Sequence, residues 1–351
     1  MPITSVRLNS FTVFSGAELT FSPGINVFIG KNGTGKSHLL KLLYGCHSIM
    51  RSRNLQGPSQ AKVDVLVANK LAGLFRPDGG AVGRLVTRRR GSNSGTVAVD
   101  ADGKRLVFDI GLKGNRVTVR SATWVPPSPA VFLPTREALA MFEGFIPAYQ
   151  NRELSFDETY YDLCVMLSGA QLRGPRGEAA AALLRPMSKV LGGRVFLKGG
   201  RFYVSQPGSG QFEAHLLAEG LRKLASLAQL IANGSLAESG TLLWDEPEAN
   251  LNPALVRGVI DVLVELATQG IQVFIATHDY LLLHRLSLIA EHRGSQPVPP
   301  MKFFALSATR GMVDVESGDT AADLSHNPVL DEFAAYHREE LALLQREAAQ
   351  P

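Results

Sequence analysis

Cysteine is scarce: the 351 residues hold two, Cys46 and Cys164, which excludes a disulfide framework and any metal site built on paired cysteines. No apolar run approaches the length of a membrane span, and Pro2 to Ser10 alternates polar and apolar residues, unlike a leader peptide. Internal repeats, heptad arrays and low-complexity tracts are missing as well. A cytoplasmic protein with no membrane contact is expected. Charged residues are 19% and hydrophobic residues 45%, ordinary values for a globular chain long enough to bury a full core in one large domain or two. The net charge of +4 permits contact with nucleic acid or another polyanion without demanding it.

What is present is concentrated in three places. Gly30-Lys31-Asn32-Gly33-Thr34-Gly35-Lys36-Ser37 satisfies the phosphate-loop pattern G-x-x-x-x-G-K-[ST]. The apolar run Ile25 to Ile29 precedes it as a buried strand, and His38 to Tyr44 follows with helical apolar spacing. Glycines at these positions let several backbone N–H groups point at one set of phosphate oxygens, and the helix beginning at Lys36 adds the positive end of its dipole. Lys36 is expected on the β- and γ-phosphates of ATP and the Ser37 hydroxyl on Mg²⁺.

The second place is Thr241-Leu-Leu-Trp-Asp245-Glu246, an apolar strand ending in adjacent carboxylates. Asp245 is expected to hold the metal, and Glu246 to act as base or orienting group for an attacking water. The third is Thr277-His278-Asp279, after the apolar strand Gln272 to Ala276. His278 then sits at a strand's carboxyl end, where open α/β sheets bind ligands, and can hydrogen-bond the γ-phosphate or the water.

Around these motifs, Ile3 to Phe21 reads as two strands, with Val6, Leu8, Phe11, Val13 and Phe14 in the first and Ala17, Leu19 and Phe21 in the second. Ser48 to Gln60 reads as a loop. Residues 82–119 read as an antiparallel meander with strands beginning at Arg84, Thr96, Leu106 and Arg116. Pro126, Pro127 and Pro129 mark a boundary, and Thr135-Arg136-Glu137 is expected to open a helical stretch reaching about Leu191. A hairpin turning at Gly199-Gly200 comes next, then a helix from Leu216 to Ala232. The alternation of strand and helix from Thr241 to Ala290 is the mark of a parallel sheet; closing strands and a charged helix from Asn327 to Ala349 end the chain.

Taken together, the N-terminal strand pair, Gly30 to Ser37, the long gap, the run Asp245-Glu-Pro-Glu-Ala-Asn-Leu-Asn-Pro253 and Thr277-His278-Asp279 resemble an ABC-type ATPase of the RecF, SMC and OLD branch. The resemblance covers most of the chain. It implies an α/β P-loop NTPase fold with an N-terminal antiparallel β subdomain and an inserted helical subdomain, all within a single ATPase domain, 1–351. Its parts would be strands and Walker A (1–47), a β-rich meander (48–125), a helical subdomain (130–192), the hairpin, signature helix, Walker B and H-loop core (193–318), and a C-terminal helix (319–351). It also implies a head-to-tail homodimer in which ATP on one subunit is capped by the signature segment of the other. Leu217 to Lys223 is the candidate segment, with Gly220, Arg222 and Lys223 toward phosphate and Asn250 in the D-loop. Ala218 and Glu219 depart from the family's L-S-G-G-[QE] pattern. Arg136 or Glu137, or else Gln150, would stand in the Q-loop, and Phe11 or Phe14 against adenine, although both phenylalanines also suit the core.

The long arms of an SMC rod and the acidic metal domain of an OLD nuclease are not visible. The expected function is therefore an ATP-hydrolysing, dimerising switch acting on a separate effector such as a nuclease, as in stand-alone ATPases of bacterial anti-phage systems. One rival is a RecF-like DNA-binding ATPase, motivated by Arg84, Arg88, Arg89, Arg90, Arg116 and Arg120. The other is a non-hydrolysing scaffold locked by ATP, motivated by the degenerate signature.

Overall fold

Strands that carry apolar residues on both faces cannot leave either face in water, and the runs at Ile25, Thr241 and Gln272 do become the buried centre of a sheet. The computed structural model describes residues 2–52, 55, 60–88, 94–125, 128–208, 210–292, 297–309 and 311–348. Their order is β1 (Ile3–Phe11), β2 (Phe14–Thr20), β3 (Ile25–Gly30), α1 (Lys36–Met50), α2 (Gln60–Phe75), β4 (Ser94–Ala101), β5 (Lys104–Gly111), β6 (Val117–Ala122) and β7 (Ala130–Leu133). Next come α3 (Phe145–Gln150), α4 (Glu158–Leu167), α5 (Gly174–Leu191), β8 (Arg194–Lys198), β9 (Arg201–Gln206), β10 (Gly210–Glu213) and α6 (Glu219–Ala232). The chain closes with β11 (Thr241–Asp245), α7 (Pro253–Thr268), β12 (Gln272–Thr277), α8 (Tyr280–Glu291), β13 (Met301–Thr309), β14 (Met312–Gly318) and α9 (Pro328–Ala348). No described helix is long and apolar enough to cross a membrane.

The central sheet has the order β14-β13-β3-β12-β11-β7, parallel except for the β14 edge. Side chains alternate between its faces. Ile25, Val27 and Ile29 pack with α6, α7 and α8 on one side, while Phe28, Phe274, Phe304 and Leu243 meet α1 and the N-terminal sheet on the other. Phe21 seals this second layer, its ring edge-on to Phe28, Phe274 and Phe304. Thus β3, β12 and β11 lie side by side, and their carboxyl ends open on one edge.

The structure bears out the α/β P-loop architecture and corrects several details. Within the meander, β4, β5 and β6 extend β1 and β2 into one antiparallel sheet, ordered β2-β1-β4-β5-β6. Its expected first strand at Arg84 does not form; residues 82–85 make a 3-10 turn, and Val86 alone bridges to Phe11. Phe14 belongs to β2, because Thr12 takes a left-handed backbone (φ 49°) that ends β1. Where a loop is expected from Ser48, α1 continues to Met50, and α2 starts at Gln60. Residues 135–144 are turns rather than helix, the first helix of that region starting at Phe145 behind Gly144. Pro126 and Pro127, at the expected boundary, and Ala349, at the expected end of the last helix, lie outside the described residues.

One buried side chain joins the two sheets. Gln272 at the start of β12 accepts from Ile3 N–H (2.8 Å) and donates to the carbonyls of Ile3 and Ser22 (2.9 Å each). Gln272→Leu would take the side-chain partner from the buried Ile3 N–H and carbonyl, while the Ser22 carbonyl would keep Asn26 Nδ2 at 2.9 Å. We expect it to lower unfolding free energy by about 2–4 kcal/mol, read as a lower denaturant midpoint with an unchanged slope.

Candidate nucleotide-binding site

The chain leaves β3 at Gly30 and curls into α1 at Lys36. Gly33 (φ 82°) and Gly35 (φ 89°) hold left-handed backbone that suits glycine. Gly35 is required by space too, since a Cβ there would stand 2.6 Å from Val13 Cγ2. Around Gly33 nothing lies within 4 Å of that point, so the curl is open to a ligand on this side. Thr34 Oγ1 closes the turn by donating to the Lys31 carbonyl (2.9 Å), and Asn32 points to solvent. Lys36 Nζ folds back over the loop onto the carbonyls of Gly30 (2.6 Å) and Lys31 (3.2 Å). Burial lowers its pKa, while Asp245, Glu246 and Glu248 pull it up.

Parallel pairing brings the other two motifs alongside, with Thr277 opposite Ile29 and Asp245 opposite Ala276. The Ser37 hydroxyl stands close enough to the Asp245 carboxyl to favour its charged form, so the expected metal pair lies in one place. Burial raises the Asp245 pKa, and the Glu246 charge adds to that; Ser37, Lys41 and Lys36 oppose it. Glu246 takes a left-handed backbone (φ 51°), a conformation that costs a non-glycine residue of order 1–3 kcal/mol. It sets Oε1 3.2 Å from His278 Nδ1. The residues present suit Mg·ATP: an open curl of N–H groups, a mobile-stemmed ammonium and a hydroxyl–carboxylate pair in one place.

Two participants escape the motif reading. Glu248 is buried, and its Oε1 accepts from Thr277 Oγ1 (2.7 Å) and more weakly from His278 N–H (3.4 Å). It thereby ties the Walker B turn to the loop that carries His278. Burial raises its pKa, against the Thr277 and His278 hydrogen bonds. The signal was its place in the Asp-Glu-Pro-Glu run, but an acid on a turn does not announce a partner on the next strand. Tyr160 of α4 is the second. Its hydroxyl lies near Arg136 and Asp157, and burial together with the Asp157 and Asp245 charges pushes its pKa up to about 12.

The signature residues are placed otherwise than expected. Arg222 does not stand free for a phosphate: Nε meets Glu137 at 2.7 Å and Nη1 donates to the Leu217 carbonyl at 2.6 Å. Lys223 is buried, with Nζ 3.3 Å from the Glu246 carbonyl, behind Walker B rather than facing outward. Gly220 serves packing, because a Cβ would lie 2.3 Å from Leu251 Cδ2 and 2.7 Å from the Asn250 carbonyl. Asn250 itself is exposed on a left-handed turn (φ 64°). Of the Q-loop candidates, Glu137 is taken by Arg222, Gln150 donates to Tyr161 (2.9 Å), and Arg136 is exposed beside Tyr160. Phe11 and Phe14 are fully buried in the core, which removes both from adenine. Arg89 and Arg90 lie outside the described residues; Arg120 is 2.5 Å from Asp109 and Arg84 is 4.0 Å from Asp78. A cleft of about 340 Å³ beside Gly30, Lys31 and His278 is closed on its far side by Pro328, Val329, Glu332 and Phe333 of α9.

Known proteins resemble the chain in pieces and as a fold. Residues 148–284 match the family model described as "AAA domain, putative AbiEii toxin, Type IV TA system", and residues 5–100 match one described as "AAA domain". Over 77 residues, 20% of this chain, it is 32% identical to "DNA replication and repair protein RecF" of Clostridium botulinum strains Eklund 17B and Alaska E43. It spans about a fifth of the length of those curated relatives (21%). An SMC head bound to the C-winged helix domain of ScpA superposes with TM-score 0.53 at 16% identity, over 92% of this chain and 99% of that one. An SMC head with an extended coiled coil, bound to the C-terminal domain of ScpA derived from Pyrococcus furiosus, gives 0.51 at 15%, over 97% and 99%. At these identities the likeness establishes the fold.

The raised pKa of Asp245 fixes a sign. A carboxyl that holds its proton more tightly when folded costs stability once pH rises through its unfolded value, about 4, and the cost is complete above the raised folded value. Without metal, Asp245→Asn is therefore expected to melt at a higher temperature than wild type at pH 7, with the gap closing at pH values below the ordinary carboxylate range. The same variant should lose the Mg²⁺-dependent part of the thermal shift produced by ATP.

Proposed function

We propose that this RecF/SMC-like P-loop ATPase binds Mg·ATP on the Gly30–Ser37 loop and hydrolyses it, cycling between an ATP-held dimer and separated subunits. The single observation that carries the reading is the meeting, at three adjacent strand ends, of the Lys36 ammonium, the Ser37–Asp245 pair and the Glu246–His278 pair. The loop's N–H groups would hold the phosphates, and Lys36 would exchange its two carbonyl partners for phosphate oxygens. A magnesium ion held by Ser37 and Asp245 would supply charge neutralisation between the β- and γ-phosphates. Glu246 is set to orient water and accept its proton, and His278 to steady Glu246 and meet the γ-phosphate.

The dimer rests on the α6 start. Ala218 caps it without any side-chain hydrogen bond, so its first N–H groups remain for an anion. With Arg222 and Lys223 engaged inside their own subunit, the backbone is the part of the signature that would reach a partner's nucleotide. Nucleotide-driven closure would be read by a separate effector protein. The toxin named in the matched family description supports a place in a toxic or defence system.

A second reading, a DNA-binding ATPase of RecF character, is favoured by the 77-residue match. The pairing of Arg120 and Arg84 with carboxylates weakens it.

Turnover per subunit is expected to rise with protein concentration, and Glu246→Gln to reduce it by about 10²- to 10⁴-fold while ATP still binds. Bound ATP with no turnover in the wild-type protein would replace this reading with a scaffold. Duplex binding that weakens steeply between low and moderate salt would move the assignment toward DNA.

A further inference from the structure

The last helix carries an apolar face that nothing among the described residues covers. Among the described residues α9 is anchored at its root, where Val329 is buried, Glu332 lies 3.3 Å from Lys31 Nζ and the Phe333 ring packs 4.5 Å from Tyr280. Residues 331–345 are all exposed, and apart from the side of Phe333 that meets Tyr280 the apolar side chains face outward, with Phe333, Tyr336, Leu341, Leu343 and Leu344 each 45% exposed or more. Phe333, His337, Glu340 and Leu344 follow the 4-3-4 spacing of a coiled-coil seam, with Tyr336, Leu341 and Leu343 flanking it.

The charges in that seam choose the occupant. Two copies packed parallel in register would set Glu340 against Glu340 and His337 against His337. Packed antiparallel about a point between Arg338 and Glu339, the same helices set Phe333 against Leu344 and His337 against Glu340, each twice. Apolar then meets apolar and a carboxylate meets an imidazole. Within one chain His337 Nδ1 already lies 3.5 Å from Glu340 Oε2, so the exchange keeps the same kind of contact.

We propose that α9 is a homotypic docking surface, pairing antiparallel with α9 of a second copy. This surface is distinct from the signature face of the proposed ATP-held dimer. Because its root touches Lys31 and closes the cleft at His278, the pairing joins the phosphate-loop edges of two subunits.

Both native cysteines are buried, so introduced ones report alone. Phe333→Cys and Leu344→Cys are made separately in the full chain and oxidised singly and as a mixture, with and without ATP, in a Glu246→Gln background. The antiparallel pair predicts a disulfide between the two variants in the mixture and none between identical chains, since like positions lie about 16 Å apart along the axis. Leu341→Glu with Leu344→Glu, both exposed and harmless to the fold, should weaken nucleotide-free self-association by at least tenfold in sedimentation. A disulfide between two Leu344→Cys chains would overturn the antiparallel arrangement. ATP-dependent dimers without any mixed disulfide would overturn the α9 pairing and leave the ATP-held dimer standing. Self-association unaffected by the two glutamates would equally overturn the α9 pairing.

Discussion

The site depends on opposite charges sharing a place that water has largely left. Asp245, Glu248, Lys36 and Lys223 are all buried, and each would be costly without the others. Their pKa values record the tension, the two carboxyls displaced upward and the two ammoniums downward, with burial the leading cause in every case. Lys36 rests on carbonyls of its own loop, and so holds a provisional charge balance that a nucleotide would complete. A phosphate chain and a cation would settle charges that the fold has already desolvated.

Strain accompanies that electrostatic load. The Walker B turn places Glu246 and Asn250 in left-handed backbone, and glycine occupies neither position. Asparagine tolerates the conformation; glutamate does so less readily, and the cost here aims Oε1 at His278. Glu248 counteracts the strain by fastening the same turn to Thr277 and to the His278 amide. The geometry of Glu246 is therefore maintained by a neighbour two residues away that itself reaches across to the adjacent strand.

What could be read from sequence follows the range of the interaction concerned. The loop from Gly30 to Ser37 was legible because its requirements are local: left-handed glycines, a strand before and a helix after. The Asp245, Glu246 and His278 positions were legible because strands buried on both faces end where polarity returns. Arg222 was misread, since its partner Glu137 lies 85 residues earlier and no spacing rule connects them. The strand expected at Arg84 failed for a similar reason: the β4 register is fixed by pairing with β1, which leaves Val86 a single bridge at the edge. Gly220 kept its place in the motif but has a different reason for being glycine, the close approach of Leu251.

The helix that begins at the phosphate loop is also the one by which the site can inform the rest of the subunit. Lys41 of α1 meets Asp157 at the start of α4 at 2.7 Å, and Tyr44, one turn on, donates to Asp162 at 2.8 Å. Lys70 of α2 completes the array, 2.7 Å from Glu158 and 2.9 Å from Asp162. These contacts seat α4 so that Tyr160 stands near Asp245, and α4 leads on to the helical region that packs against α6. Partly buried ion pairs hold their geometry through direction as much as energy. A displacement of α1 on nucleotide binding would be passed to α4 through polar contacts at fixed distances, whereas a purely apolar interface could absorb it by sliding.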